Sequence, residues 1–468
     1  MKEDVKKKIL LIYPPSPVLN REDRCQQPTT ELIVIPPLPP TDLMYLAAVA
    51  EEEGLEAFIR DYSQKGDFTA DLRKIQPDYV VANVATPTLE SDLSVFKTVK
   101  EICPNCLTIA KGAAFLNRAN DIMANHKNLD IVIIGEAEET LREIVSGKSK
   151  RRISGIYYRE EFRIRFTGKR EFIEKLDELP FPARHLIDNK KYRRPDNNEV
   201  QAVIKVARGC PYHCFFCLAT PVAGSRVRKR SPENILNEIK ECVEKYNIRN
   251  FIFWSDIFNL DKEWVRDLCY KIIESGLEIT WSANTRADTA DLETAELMYE
   301  AGCSLVSIGV ESGSQYILDK IGKKITPDDV RNTVKIFKQA HIKIYNYFVI
   351  GLPWDNEETI KDTIDFACEL DSDYVSFYTA VPLPGTRFYN YASENGLFDV
   401  NTSFENAYFY PAVDTHCLSK ERIFELHKKA VRTFYLRPKY IMRTFLSIRS
   451  LTELKNCFKA GMNILLRK

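Results

Sequence analysis

Three cysteines stand within eight residues in "RGCPYHCFFC", at Cys210, Cys214 and Cys217, in the pattern Cys-x3-Cys-x2-Cys. Thiolates at such spacing hold metal. Structural zinc takes four ligands, usually as two separated pairs, and no second pair lies close by in the chain. An iron–sulfur cubane that only carries electrons is held by four thiolates. Three leave one iron with an open coordination position, where a substrate or cosubstrate can bind. The triad therefore reads as a cluster that does chemistry; a structural zinc and a chance grouping are the competing readings.

The elements that must present this loop are strands and helices in alternation. "VQAVIKVAR" reads as a strand leading straight into the cysteines. Five more strands follow, separated by helices: "NFIFW", "EITWSAN", "SLVSIGV", "KIYNYFVI" and "YVSFYTA". Six βα units fall short of the eight that close a full barrel, so residues 196–400 are expected to form a partial (βα)6 barrel with its chemistry at the strand C-terminal ends.

A separate alternation occupies residues 1–147. Its five strands, "KILLIY", "LEAFIRD", "DYVVANV", "CLTIAKG" and "LDIVIIG", alternate with helices such as "TDLMYLAAVAEEEG", which Thr41 would cap. This is an α/β pattern and predicts a parallel, doubly wound, Rossmann-like sheet with ligands at the carboxyl ends of its strands. The loops there hold Thr86, Gly112, Gly135 and Glu136. No GxGxxG follows the first strand, which argues against a dinucleotide. Residues 148–195 read as a linker containing a hairpin and a Pro-punctuated connector. Residues 401–468 read as a helical, basic region. From Leu418 onward there are 13 Lys/Arg against 3 Asp/Glu, interleaved with aromatic and aliphatic residues. Either this surface meets an anionic membrane or a lipid-like substrate, or it is a helical cap on the barrel with solvated charges.

Composition bounds the rest. Lys+Arg and Asp+Glu balance at 66 each across 468 residues, which argues against a dedicated nucleic-acid binder. The N-terminal apolar run is too short for a signal segment, and no later run is long enough to span a membrane. A cytoplasmic, reducing setting is expected, so the 12 cysteines point to metal or redox chemistry rather than disulfides. Cys103 and Cys106, in "CPNC", are expected to be structural.

Cys-x3-Cys-x-aromatic-Cys after the first strand of a six-fold βα array resembles the radical S-adenosylmethionine (SAM) superfamily. The resemblance implies a [4Fe–4S] cluster whose open iron chelates SAM and whose electron cleaves it to methionine and a 5′-deoxyadenosyl radical. Cys210, Cys214 and Cys217 would be the ligands, and Phe216 would pack near the adenine. "FWSDIFN" places Ser255 and Asp256 at the methionine amino group, and "SIGVESGS" places Glu311 and Ser312 at the ribose or methionine end. Asn284 and Arg286 are further candidates, although Arg286 could simply cap a helix or pair with Asp288. "YFVIGLPWDNEET" resembles the element that meets adenine through its backbone, here around Gly351 and Pro353.

The first domain in turn resembles the cobalamin-binding domain of cobalamin-dependent radical enzymes, through "PPLPPTDLMYLAAVAEEEGLEAFIRDYS" and "IIGEAEETLREIV". The second of these looks like the family's Gly-Glu-Gly-Glu-x-Thr, with Ala137 at the second Gly position. "AKGAAF" departs from the family's Gly-Gly-Pro-His-Ala. A Rossmann-like domain that holds no cofactor, or a docking module, is the competing reading. No Asp-x-His-x-x-Gly occurs, so cobalt is expected to lack a His lower ligand. The implied function is methylation of an unactivated carbon of a small-molecule or lipid-like substrate, with flavodoxin or ferredoxin as electron donor. The alternatives are an oxidative cyclisation, ring contraction or rearrangement on a tetrapyrrole or lipid by the same machinery, and a non-catalytic cobalamin or cluster sensor.

Overall fold

The computed structural model describes residues 6–448 except 17–18, 23–24, 29–36, 64–65, 162, 195–196, 399–403, 405–406 and 408–409, together with scattered positions between 454 and 464. The rest of the basic tail read from the sequence lies outside the described residues.

The N-terminal half holds, in chain order, β1 (Lys8–Tyr13), β2 (Leu19–Glu22), β3 (Cys25–Pro28), α1 (Thr41–Glu52), β4 (Glu56–Asp61), α2 (Phe68–Ile75), β5 (Tyr79–Asn83), α3 (Leu89–Ile102), β6 (Leu107–Lys111), α4 (Ala119–Asn125), β7 (Ile131–Ile133), α5 (Glu138–Val145), β8 (Ile156–Glu160) and β9 (Arg163–Phe166). Strands β1, β5, β6 and β7 are mostly apolar because both faces of the sheet are covered there. β1 sends Ile9 and Leu11 into one core and Leu10 and Ile12 into the other. The sheet order is β4-β1-β5-β6-β7-β8-β9. Its first five strands are parallel, so the order is that of a doubly wound sheet whose switch point lies between β1 and β5.

Two sequence expectations are corrected. The hairpin placed in a linker is β8–β9, and it pairs antiparallel with β7 to extend the first sheet. An unpaired β7 edge would leave its backbone polar groups open, and Ile156 and Tyr158 join the first-domain core. Thr41 does not cap α1; the cap position is Pro40, and the Thr41 hydroxyl donates to Pro39 O.

The second half continues with β10 (Gln201–Lys205), β11 (Ala207–Arg208), α6 (Ala219–Ala223), β12 (Arg228–Lys229), α7 (Pro232–Tyr246), β13 (Asn250–Trp254), α8 (Lys262–Glu274), β14 (Thr280–Thr285), α9 (Leu292–Glu300) and β15 (Cys303–Glu311). It ends with α10 (Gln315–Lys320), α11 (Pro327–Gln339), β16 (Lys343–Ile350), α12 (Glu357–Leu370), β17 (Tyr374–Thr379), α13 (Arg387–Glu394), α14 (Lys420–Tyr435) and α15 (Pro438–Ser447). The six parallel strands run β10-β13-β14-β15-β16-β17, in sequence order, as the partial barrel requires. Ile423, Leu426, Ala430 and Phe434 of α14 are buried in the barrel core. This helix is therefore the cap, and α15 is a separate case.

Candidate active site

The loop that carries the cysteines is clipped at its base. β11 pairs antiparallel with β12, and Gly209, at φ 97°, lies so close to the Arg226 carbonyl oxygen that a Cβ there would overlap it. The Gly209 N–H donates to Asp256 Oδ2 at 3.0 Å, and the Cys210 N–H to Gly224 O at 3.0 Å. Farther along, the Phe215 N–H donates to Ile321 O (2.9 Å) and its carbonyl accepts from Phe388 N (3.0 Å). The Phe215 ring is locked among Trp354, Phe388 and Tyr391, with centroids 4.9–5.7 Å away. Phe215 is thus core, and its neighbour Phe216 is left to line the barrel mouth.

That mouth is a cavity of about 450 Å³. Cys210, Cys214 and Cys217 all line it, with Phe216, Asp256, Asn284, Arg286 and Glu311. Asn20, Gln26 and Leu38 of the N-terminal half line it as well. The donor set suits a cluster. Among the described residues no three Cys, His, Asp or Glu close on a single ion, whereas a cubane takes each thiolate on a different iron. The Ala219 N–H already points at Cys217 Sγ, 3.4 Å away. Burial pushes the Cys217 thiol up to about 12 and raises that of Cys210, so iron binding here must displace protons.

The other expected residues divide. Glu311 sits at φ 69° beside a bulge in the β15–β16 ladder and holds Lys323 Nζ at 2.6 Å. Burial works against the Lys323 charge, but Glu311 and Cys214 outweigh it and leave the amine above its ordinary range. Arg286 does pair with Asp288 (2.6 Å), and its guanidinium also lies 3.7 Å from the Tyr212 ring centroid and donates to Lys324 O. It thereby ties the cysteine loop to the segment carrying Lys323. Ser312 turns away: its hydroxyl lies 3.0 Å from Thr363 Oγ1 on α12. Ser255 is buried outside the lining. Gly351 and Pro353 are outside it too, because Asp355 ties the Gly351 and Leu352 N–H groups into a turn that packs on Ile423 of α14.

Sequence reasoning missed Lys323, His427 and the tyrosines of the cavity. Tyr345, Tyr347 and Val349 alternate along β16, a period-two signal that was available. His427 comes from α14, with Nε2 2.7 Å from Phe377 O, and no local pattern announces it.

The switch point of the first sheet carries its own polar cluster. Asp42 accepts from the Tyr13 hydroxyl (2.7 Å), Lys111 Nζ (2.9 Å) and Asn83 Nδ2. Tyr13, Asn83 and Lys111 end β1, β5 and β6. Burial opposes ionisation of Asp42, but Lys111, and Lys205 from the barrel, hold its carboxyl down at about 2. Beside this cluster the Thr86 N–H donates to Gln26 Oε1 (2.8 Å), while Thr86 Oγ1 is buried without a partner among the described residues. That orphaned hydroxyl, at the edge where doubly wound sheets take ligands, fits a bound cofactor. His126 and His185 are engaged with Glu90 and Glu51. Glu136 pairs with Arg208 (3.1 Å) and Arg228 (2.8 Å), and Glu138 also holds Arg208 (2.7 Å). The β7–α5 loop is thus locked to the base of the cysteine loop. Cys103 and Cys106 are buried, and burial raises both thiols.

Gly112 and Gly135 both have positive φ, 139° and 85°, but only at Gly112 would a Cβ overlap backbone, at Val84 O. Gly112→Ala is expected to cost about 1–3 kcal/mol. Gly135→Ala has open space above it and should cost less. Urea unfolding of the apo-protein compares the two.

Matches to known families agree with this geometry. Residues 204–367 match the Radical SAM superfamily and residues 36–145 the B12 binding domain. An uncharacterised methyltransferase of Pyrococcus horikoshii is 32% identical over 443 residues, 93% of this chain and 94% of its own. The chain belongs to the cobalamin-dependent radical SAM methyltransferase family. Its cofactors are those of the family: a [4Fe–4S] cluster, SAM and cobalamin. The anaerobic magnesium-protoporphyrin IX monomethyl ester cyclase of Cereibacter sphaeroides is 24% identical over 418 residues, 85% of this chain and 67% of its own. In fold, this radical SAM chain matches the radical SAM methyltransferase TsrM from Kitasatospora setae, solved with cobalamin and a [4Fe–4S] cluster bound. The TM-score is 0.67 at 17% identity, covering 85% of this chain and 80% of that one.

Proposed function

We propose that this chain methylates an unactivated carbon of a small molecule held in the barrel mouth. The observation that carries the reading is one cavity lined from both halves of the chain: the three cysteines from the barrel, and Asn20, Gln26 and Leu38 from the N-terminal half. When bound, the reduced cluster supplies the electron that cleaves SAM, and cobalamin carries the methyl group. In this reading Cys210, Cys214 and Cys217 hold the cluster, Phe216 shields the adenosyl group, and Asp256, Asn284 and Glu311 orient SAM. Asp256 also fixes the loop through Gly209 N–H, and Lys323 keeps positive charge beside Cys214. Thr86 and Gly112 meet cobalamin. Tyr345, Tyr347 and Val349 line the seat of the substrate. A cytoplasmic setting, with flavodoxin or ferredoxin as electron donor, fits the thiol-rich chain.

The second reading, oxidative cyclisation, is favoured by the likeness to the cyclase over 85% of the chain. Products separate the two. Reconstituted enzyme incubated anaerobically with cobalamin, reductant and SAM is expected to form both S-adenosylhomocysteine, from methyl donation, and 5′-deoxyadenosine. Deoxyadenosine without S-adenosylhomocysteine would favour cyclisation, and neither product would remove the catalytic reading.

A further inference from the structure

Exposed large apolar side chains gather on α15. Ile441, Met442, Phe445 and Leu446 are each between 51% and 77% exposed. Their spacing of one and four residues puts them on one helix face. The opposite face does the docking. Arg437 donates to Cys368 O (2.6 Å), Tyr440 OH to Asp373 O (3.0 Å) and Arg443 to Ser372 O (2.7 Å). An ordinary surface helix turns its apolar stripe inward; α15 does the reverse. Leu454, Phe458 and Met462, four residues apart, are exposed as well.

The charge beside this stripe decides what covers it. Arg437, Lys439 and Arg443 crowd a single carboxylate, Asp371, at 3.2, 2.9 and 3.4 Å. Three cations on one anion leave a positive excess. From Arg437 to the last residue the chain carries eight Lys/Arg and one acid, Glu453. Contiguous apolar surface marks an interaction site. A second copy would bring like charge against like charge, which is disfavoured. Hydrocarbon under an anionic surface answers both features. No helix among the described residues is long and apolar enough to cross a membrane.

We propose that α15 seats the enzyme on an anionic lipid surface, with Ile441, Met442, Phe445 and Leu446 at the acyl boundary and Arg437, Lys439 and Arg443 at the headgroups. The proposal stands apart from the catalytic reading. It is tested by co-sedimenting full-length holoenzyme with phosphatidylcholine vesicles with and without phosphatidylglycerol. Binding is expected with phosphatidylglycerol, weakened by salt, and at least about tenfold weaker for F445S/L446S. The variant should still cleave SAM, which shows that it is folded. Absence of binding to the anionic vesicles, or equal binding by the variant, would overturn the proposal. So would a wild-type dimer that F445S/L446S dissociates, since the face would then belong to a second copy.

Discussion

Replacing Cys210, Cys214 and Cys217 together by alanine is expected to abolish iron–sulfide incorporation and reductive cleavage of SAM while leaving the chain folded. The fold of the loop does not depend on its thiols. Its base is held by the β11–β12 clip, by Gly209 N–H on Asp256 and by Cys210 N–H on Gly224 O. Its far end is held by the Phe215 backbone and ring. Truncating a buried Cys to Ala removes one sulfur and costs roughly 1 kcal/mol, far less than the 2–5 of a large apolar truncation. Activity and stability should therefore separate: iron and acid-labile sulfide fall to background, 5′-deoxyadenosine falls to the level without protein, and the urea midpoint moves little. Cys103→Ala/Cys106→Ala is the control, because those thiols are buried in the first-domain core away from the cavity. A triple variant that kept a full cluster would falsify the assignment.

What the sequence made legible follows from how local each signal is. Both strand–helix alternations could be read because parallel strands buried on two faces are continuous apolar runs, interrupted where helices need polar faces. The spacing of the cysteine triad and Phe216 is legible because all four stand within eight residues, whereas the cavity they share is a property of the fold. The hairpin could be read as a hairpin but not placed, since nothing in "ISGIYYREEFRIRF" says that β7 is its partner. Ser312 and Glu311 are neighbours in the same motif, and the chain alone does not say which faces the cavity. The positive φ at Glu311 and the bulge beside it decide that Glu311 meets Lys323 while Ser312 meets Thr363. Glu136 shows the same limit. Its loop does end a strand at the ligand edge, but Arg208 and Arg228, about seventy and ninety residues away, claim its carboxylate. Long-range pairing of charges has no periodicity to betray it.

The same kind of pairing carries the largest expected loss of stability. Glu238 on α7 is buried and divides its two oxygens between guanidiniums: Oε1 takes Arg184 Nη2 at 2.5 Å, and Oε2 takes Arg230 Nη1. Arg184 comes from the connector and also donates to Val203 O on β10, while Arg230 follows the β12 arm of the clip and donates to Lys205 O. One carboxylate thus fastens the connector, the clip and the strand that feeds the cysteine loop. Glu238→Gln keeps the shape and removes the charge, leaving two buried cations side by side. The expected cost is about 3–5 kcal/mol, read from urea unfolding at neutral pH. The pH dependence supplies the sign. Burial pushes the Glu238 carboxyl up, but Arg230 and then Arg184 more than offset it, so its folded value lies below the ordinary one. Its contribution is therefore complete above the unfolded carboxyl value of about 4.3 and is lost as pH falls through the folded value. Wild type should weaken across that acid window more steeply than E238Q, and the two curves should converge at its lower end. A variant within about 1 kcal/mol of wild type at neutral pH would show that the two arginines find other partners, and that the connector is held to the barrel by apolar packing alone.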